Sequence, residues 1–257
     1  MKVVILAGGL GTRISEESHM RPKPMIEIGG LPILWHIMKI YSHYGFYEFV
    51  ICAGYRQWMI KEFFADYALR TSDVTFDFSN GGDVCVHGST SEPWRVTVVD
   101  TGRDTMTGGR IKRIQSFVGD ETFMLTYGDG VADVNIPALL AHHEAHGKTV
   151  TLTGVSVTQR FGVLSISPDG LVTSFREKHD SDAGAINGGF MVMKPKIFSI
   201  ISSDNDTLEQ GPLETLAKEG ELAMYRHLGF WECMDTQRDR SNLEALWSSG
   251  KAPWKLW

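Results

Sequence analysis

The stretch Lys2-Val3-Val4-Ile5-Leu6-Ala7-Gly8-Gly9-Leu10-Gly11-Thr12-Arg13 decides the fold class. An unbroken, β-branched apolar run closed by glycines suits a central strand of a parallel sheet, buried on both faces. The glycines let backbone N–H groups approach phosphate oxygens closely, so a phosphate loop is one reading and a tight connection after the strand is the other. Two well-known phosphate fingerprints fail here. The dinucleotide pattern needs a third glycine where Ile14 stands and an acidic residue where the second strand meets Gly54. The Gly-x-x-x-x-Gly-Lys-Ser/Thr pattern comes nearest at Gly147-Lys148-Thr149, but His142 takes the place of its first glycine.

Outward from this strand the pattern alternates. Ile33, Leu34, Ile37, Met38 and Tyr41 recur at helical spacing, Gly45 follows, and residues 49–53 read as the next strand. Met59, Ile60, Phe63, Phe64 and Tyr67 predict a second helix, and 74–78 and 96–99 predict strands separated by a polar, Gly-rich excursion. Ile111, Ile114, Phe117 and Val118 mark a further helix. Residues 122–127 form a buried strand running into Gly128-Asp129-Gly130, followed by a helix over 136–146 and a strand over 150–157. In the second half, 162–166 and 171–175 flank Pro168-Asp169-Gly170, a hairpin signal. Residues 187–193 and 230–234 are strand-like, and 213–218 and 238–247 helical. The expectation is an α/β fold: a mixed, mostly parallel sheet flanked by helices, with a small β-rich portion in the second half. No linker, repeat or low-complexity stretch interrupts 1–257, which reads as one domain.

Composition narrows the function. Twenty-five Lys and Arg against 31 Asp and Glu give a net charge of -6, and no basic stripe offers itself to nucleic acid. Cys52, Cys85 and Cys233 are scattered and form no Cys-x-x-Cys pair, which argues against zinc and a disulfide framework. Residues 1–7 are too short for a signal-peptide core, and no apolar run reaches about 18 residues, so a cytoplasmic protein without a membrane segment is expected. His142, His143 and His146 miss the His-Glu-x-x-His spacing and read as a polar helix face. Trp247, Trp254 and Trp257 read as packing or subunit-contact residues.

Several residues carry chemistry. Arg13 precedes Arg21-Pro22-Lys23-Pro24-Met25, where prolines stiffen the backbone that bears Lys23. Alone this is a solvated basic turn; beside the glycine loop it completes a cradle for a polyanion. Asp129 and Asp235 each follow an apolar strand, and two such carboxylates can hold one Mg²⁺, which favours one or two carboxylates with phosphate oxygens and water. Capping of the next turn is the competing role for each. Asn187 brings an amide beside the open backbone of Gly188-Gly189.

Gly8 to Arg13 together with Lys23-Pro24-Met25 resembles the signature of the sugar-phosphate nucleotidyltransferases. Residues 94–102, Met106-Thr107-Gly108-Gly109-Arg110, Tyr127-Gly128-Asp129-Gly130-Val131-Ala132-Asp133, Asn187-Gly188-Gly189-Phe190, 231–239 and Lys251-Ala252-Pro253-Trp254-Lys255 extend the resemblance nearly end to end, toward members that use CTP and glucose 1-phosphate. The resemblance implies a Rossmann-like sheet holding the nucleotide near Leu6, Ala7, Gly8, Gly9, Gly11, Thr12, Arg13, Lys23, Thr105, Gly109, Arg110 and Gly128. It implies Mg²⁺ on Asp129 and Asp235, with Asp133 a loop or cap residue instead. It places Glu177, Lys178 and Asn187 at the sugar, and Arg13, Lys23 and Lys178 as the catalytic cations. His179 departs from the proline that commonly follows the Glu-Lys pair. The family reads its base near 105–110, and two N–H groups of Arg110 would suit the O2 and N3 acceptors of cytosine and oppose the N3–H of uracil. From position alone Arg110 is as readily a surface residue opening a helix. The resemblance further implies a homo-oligomer. Uridylyl or thymidylyl transfer, a non-catalytic sugar-nucleotide sensor and a nicotinamide dehydrogenase are the competing functions.

Overall fold

The structure is a computed structural model and describes residues 1–9, 11, 14, 19–156, 163–166, 172–176 and 185–257. Seven strands make the central sheet: β1 (Val3–Ala7), β2 (Glu48–Ala53), β3 (Arg95–Asp100), β4 (Phe123–Tyr127), β5 (Val150–Ser156), β6 (Ala185–Met193) and β7 (Leu222–His227). Their spatial order is β7-β5-β6-β4-β1-β2-β3. β1 runs parallel to β2 and β4, β2 to β3, and β5 to β7, whereas β6 is antiparallel to both β4 and β5. The sheet is therefore mixed and mostly parallel, as the alternation along the chain implies.

All five residues of β1 are buried. Val3, Ile5 and Ala7 pack with Ile37, Tyr41 and Phe190 on one face, and Val4 and Leu6 with Ile111 and Phe198 on the other. Two buried faces explain the unbroken apolar run, because no position of this strand meets water. The helix Ile33–His43 lays its apolar side on the first face and ends through Tyr44 before Gly45, whose φ of +85° suits glycine. The helix Ile136–His146 starts where Asn135 accepts from the N–H of Ala138, and stops at Gly147 with φ +63°. His143 on that helix is buried and bonds Thr151 Oγ1 at 2.8 Å, so it faces the sheet, while His142 is half-buried and His146 exposed.

Three regions differ from the expectation. The Gly-rich excursion contains a strand, Asp83–His87, that pairs with the expected one at Asp73–Asp77 in a hairpin outside the central sheet. The helix read through Ile111 to Val118 divides at Ile114 into Thr107–Arg113 and Gln115–Val118. Residues 230–234 do not join the central sheet: Trp231–Cys233 pairs antiparallel with the short strand Gly130–Ala132. Strands Val163–Ile166 and Val172–Arg176 pair antiparallel, as the Pro168-Asp169-Gly170 signal indicates.

From β1 the chain proceeds to β2 and β3 on one side and later returns to place β4 on the other. This reversal opens a crevice beyond the carboxyl ends of β1 and β4, where open α/β sheets bind ligands.

Candidate active site

The crevice is a cleft of about 690 Å³. Its floor is the end of β1, with Leu6, Ala7, Gly8, Gly9 and Gly11, and the end of β4, with Tyr127, Gly128 and Asp129. Gly128 donates to Leu6 O at 2.9 Å, and a Cβ there would come within 2.8 Å of that oxygen and 3.0 Å of Pro24 Cγ. Glycine is thus required where the two strands and the Lys23 segment converge.

One wall carries Lys23, Asp129 and Asp235. The pairing of Gly130–Ala132 with Trp231–Cys233, continued by Met234 N–H to Asp129 O at 2.8 Å, brings the two aspartates together across 106 residues. Asp235 is steadied by the capping box of the helix Gln237–Ser248: Asp239 accepts from the N–H groups of Asp235 at 3.0 Å and Thr236 at 2.7 Å. Lys23 Nζ donates to Asp129 Oδ2 at 2.6 Å and Asp235 Oδ1 at 2.5 Å. Burial by itself would lower the Lys23 pKa, but the attraction and hydrogen bonds of the two carboxylates outweigh it and hold it above the ordinary lysine value. Two carboxylates meeting on one cation is the donor set a divalent ion would use, so these residues fit Mg²⁺.

The opposite wall is built around Arg110, which is only 4% exposed. Its Nη1 donates to Thr101 Oγ1 at 2.8 Å and Gly102 O at 2.7 Å, and its Nη2 to Gly8 O at 3.0 Å and Arg103 O at 3.1 Å. Burial pulls its pKa below the usual arginine value. A Cβ at Gly8 would lie 2.1 Å from Nη1 and one at Gly54 2.6 Å from it, so both glycines seat the guanidinium. This accounts for glycine at the end of β2, where a dinucleotide fold would place an acid. Arg110 is a buried clamp behind the glycine loop and not a surface residue. Reading a base with its terminal nitrogens requires them to leave these oxygens.

Thr105 lines the cleft, whereas Gly109 does not: a Cβ there would sit 2.6 Å from Asp204 Cα and O, so this glycine lets its helix pack on the 204 segment. Asn187 borders the cleft and its Oδ1 accepts from Gly189 N–H at 2.9 Å. Thr12, Arg13, Glu177 and Lys178 lie outside the described residues. Asp133 stands apart from the cleft, 3.0 Å from His227 Nε2.

Tyr127, Glu209, Thr107 and Trp231 also line the cleft, and no residue pattern singled them out. Tyr127 Oη donates to Glu209, which also accepts from Thr107 Oγ1 at 2.8 Å, and Asn187 Nδ2 approaches Tyr127 Oη at 3.4 Å. Burial, then the Glu209 charge, raise the Tyr127 pKa and keep the phenol protonated. Glu209 sits in a segment without periodicity, so only its neighbours in space reveal it. Trp231 Nε1 donates to Gly188 O at 2.7 Å, tying the strand Trp231–Cys233 to β6. Burial, then Asp235, push the Cys233 thiol up to about 12, so the cysteine in the cleft is a thiol and a poor nucleophile.

Comparison with known proteins agrees with this geometry. The sequence pattern of the family described as nucleotidyl transferase matches residues 2–236. Glucose-1-phosphate cytidylyltransferase of Salmonella typhi is 55% identical over the whole length of both chains, and the probable glucose-1-phosphate cytidylyltransferase of Bacillus subtilis 47% over the same extent. Among solved structures, HddC from Yersinia pseudotuberculosis superposes with a TM-score of 0.69 at 23% identity, covering 96% of this chain and 99% of that one. A UDP-glucose pyrophosphorylase complexed with UDP-glucose superposes at 0.67 and 16% identity, covering 97% and 98%. At these identities the two structures establish the shared fold.

Proposed function

The chain belongs to the nucleotidyl transferase family, and from that premise we propose that it transfers CMP from CTP to glucose 1-phosphate, giving CDP-glucose and pyrophosphate. What carries the reading is the convergence of Asp129, Asp235 and Lys23 on one point of the cleft at the sheet's switch point, in a chain matched over its full length by cytidylyltransferases.

A phosphate oxygen of glucose 1-phosphate attacks the α-phosphorus of CTP in line. The new P–O bond forms as the bond to the β-phosphate's bridging oxygen breaks, and that oxygen leaves with the electron pair as pyrophosphate. Such transfers ask the protein for positioning and charge neutralisation, and no protein nucleophile is needed. Gly9 is exposed and Gly11 half-buried where the triphosphate would lie, with Gly8 seated against Arg110 below them, and Lys23, with Arg13, neutralises the leaving pyrophosphate. Asp129 and Asp235 would hold Mg²⁺, which supplies Lewis-acid charge stabilisation at the α-phosphate. Lys178 and Glu177 hold the sugar phosphate and hydroxyls, with Asn187 beside them. Tyr127 and Glu209 close the cleft next to Asn187 and orient it.

Base choice falls to Arg110 and Thr105. A guanidinium that leaves these protein oxygens for the O2 and N3 of cytosine gives up more hydrogen bonds than it gains, a cost that binding of the matching base must offset. Uracil presents a donor at N3 and leaves one N–H unpaired, so the exchange favours cytosine.

The hairpin of Asp73–Asp77 and Asp83–His87 exposes Phe76, Phe78, Val84 and Val86, with Phe78 84% exposed. This apolar surface supports a homo-oligomer, which light scattering reads directly; a monomer at all concentrations contradicts it. No described helix is long and apolar enough to cross a membrane. A CTP-consuming reaction with Cys52, Cys85 and Cys233 all unpaired fits the reducing cytoplasm.

Pyrophosphate release tests the function. With glucose 1-phosphate and Mg²⁺ present, CTP is expected to outpace UTP, dTTP, ATP and GTP, and omission of the sugar phosphate to stop release. Equal or greater release with UTP or dTTP would reassign the base, and none with any nucleotide would leave only a binding role.

A further inference from the structure

Lys23 stands where a metal ion would stand. Its Nζ lies 2.6 Å from Asp129 Oδ2 and 2.5 Å from Asp235 Oδ1, held by the same two carboxylates that fit a divalent cation. Mg²⁺ binds carboxylate oxygens at about 2.0–2.1 Å, so an ion shared by these oxygens would lie within contact distance of the ammonium. Two cations cannot occupy that space without mutual repulsion in a partly desolvated cleft.

The backbone limits how the conflict is resolved. Lys23 opens a three-residue 3₁₀ turn between Pro22 and Pro24, with Pro24 and Met25 buried, so the main chain is fixed and only the side chain can move. The carboxylates are 30% and 29% exposed and face the cleft, whereas Lys23 is 12% exposed. An ammonium leaving them needs another anion, and the glycine loop at the cleft floor is where a triphosphate would supply one.

We propose that the Lys23 ammonium is a resident stand-in for the divalent cation, occupying its position between Asp129 and Asp235 until a triphosphate draws it away. Resting on the proposal that these carboxylates hold the metal, the inference makes Lys23 a two-position residue. Without nucleotide it neutralises the two acids and keeps free metal out. With nucleotide it moves to the phosphates and leaves the acids to the metal. Metal and triphosphate therefore bind cooperatively, because each requires the same displacement of Lys23, and the apparent metal affinity of the free protein is reduced by the fraction in which Lys23 occupies the site.

The test is Mn²⁺ titration in the absence of nucleotide, followed by the loss of the free-ion paramagnetic resonance signal. Wild type, Lys23→Met and the double variant Lys23→Met with Asp129→Asn are compared. Lys23→Met is expected to bind Mn²⁺ at least about tenfold more tightly than wild type, and the added Asp129→Asn to abolish that gain. Equal affinity in wild type and Lys23→Met, with the double variant binding more weakly than either, would overturn the stand-in role and leave the metal assignment intact. Absence of Mn²⁺ binding from wild type and Lys23→Met alike, with CTP as well as without it, would overturn the metal assignment and this inference with it. Should Lys23→Met be poorly folded, its melting temperature reads the same point: Mn²⁺ alone should restore it and shift wild type far less. A melting temperature that Mn²⁺ leaves unchanged contradicts the proposal.

Discussion

At one end of the cleft a guanidinium is held by a hydroxyl and four neutral carbonyls; at the other an ammonium is held by two carboxylates. Arg110 is buried and its partners carry no charge, so neutral acceptors can compete for its N–H groups, provided they offset the loss to the oxygens it leaves. Lys23 is partnered by anions, so only another anion can take it over, and only another cation can take its place. The contrast divides the labour of the proposed reaction. The Arg110 end can discriminate between neutral groups such as bases, and the Lys23 end can manage phosphate charge.

The largest break in this contrast is Asp129→Asn, which removes one anion from the Lys23 end. Turnover with CTP and glucose 1-phosphate is expected to fall about 10³-fold while the melting temperature stays near wild type. Near-normal turnover would refute the charge-handling role.

The next effect acts through the core beneath the helix Gln237–Ser248, whose capping box steadies Asp235. His36 is buried among Trp247, Trp254 and Trp35, with Nε2 against Ile28 O at 2.8 Å and Nδ1 facing the Trp254 Nε1 donor at 3.4 Å. Burial lowers its pKa from 6.5 to about 4. Between those values the unfolded chain holds a proton that the folded chain lacks, so stability falls as pH drops from 6.5 toward 4. The full loss is about 3 kcal/mol. Denaturant titrations of wild type and His36→Gln at pH 7 and pH 4.5 should show a steeper loss in wild type; parallel losses would contradict the assignment.

Arg110→Leu probes the other end. It leaves the carbonyls of Gly8, Gly102 and Arg103 without their donor, which should cost about 2 kcal/mol in a denaturant titration and narrow the preference for CTP over UTP about tenfold. An unchanged preference would move base selection elsewhere. Tyr127→Phe is the mildest, removing the hydroxyl that links Asn187 and Glu209. About 1 kcal/mol of stability and a few-fold rise in KM for glucose 1-phosphate are expected, with kcat for CTP little changed. A fall in kcat without a change in KM would place Tyr127 nearer the reacting atoms than proposed.

The sequence is most legible where one physical demand acts alone. β1 is read from its apolar run because both of its faces are buried, and Asp129 and Asp235 are recognisable because each follows a strand that ends at the cleft. The first strand of the hairpin at 73–87 is read, but its partner at 83–87 escapes the same reading, since Val84 and Val86 alternate on a strand with no buried face to report. β7 is missed for a related reason: it is an edge strand, half-buried through most of its length. Glu209 and Tyr127 act through a contact between residues 82 apart, and Arg110 through carbonyls of Gly8, Ala53 and 102–103, three separate segments, which spacing along the chain does not encode. The company of Lys23 has the same origin. Its proline-flanked segment is legible, but its seat between two distant carboxylates follows from strand pairing at 130–132 and 231–233.

The account's central claim is that charge positioning, with no protein nucleophile, performs the transfer. The direct measurement is the configuration of CDP-glucose formed from a single diastereomer of CTP bearing sulfur on the α-phosphate. One in-line displacement predicts inversion at the α-phosphorus. Retention would require two displacements through a covalent enzyme intermediate and would contradict the account.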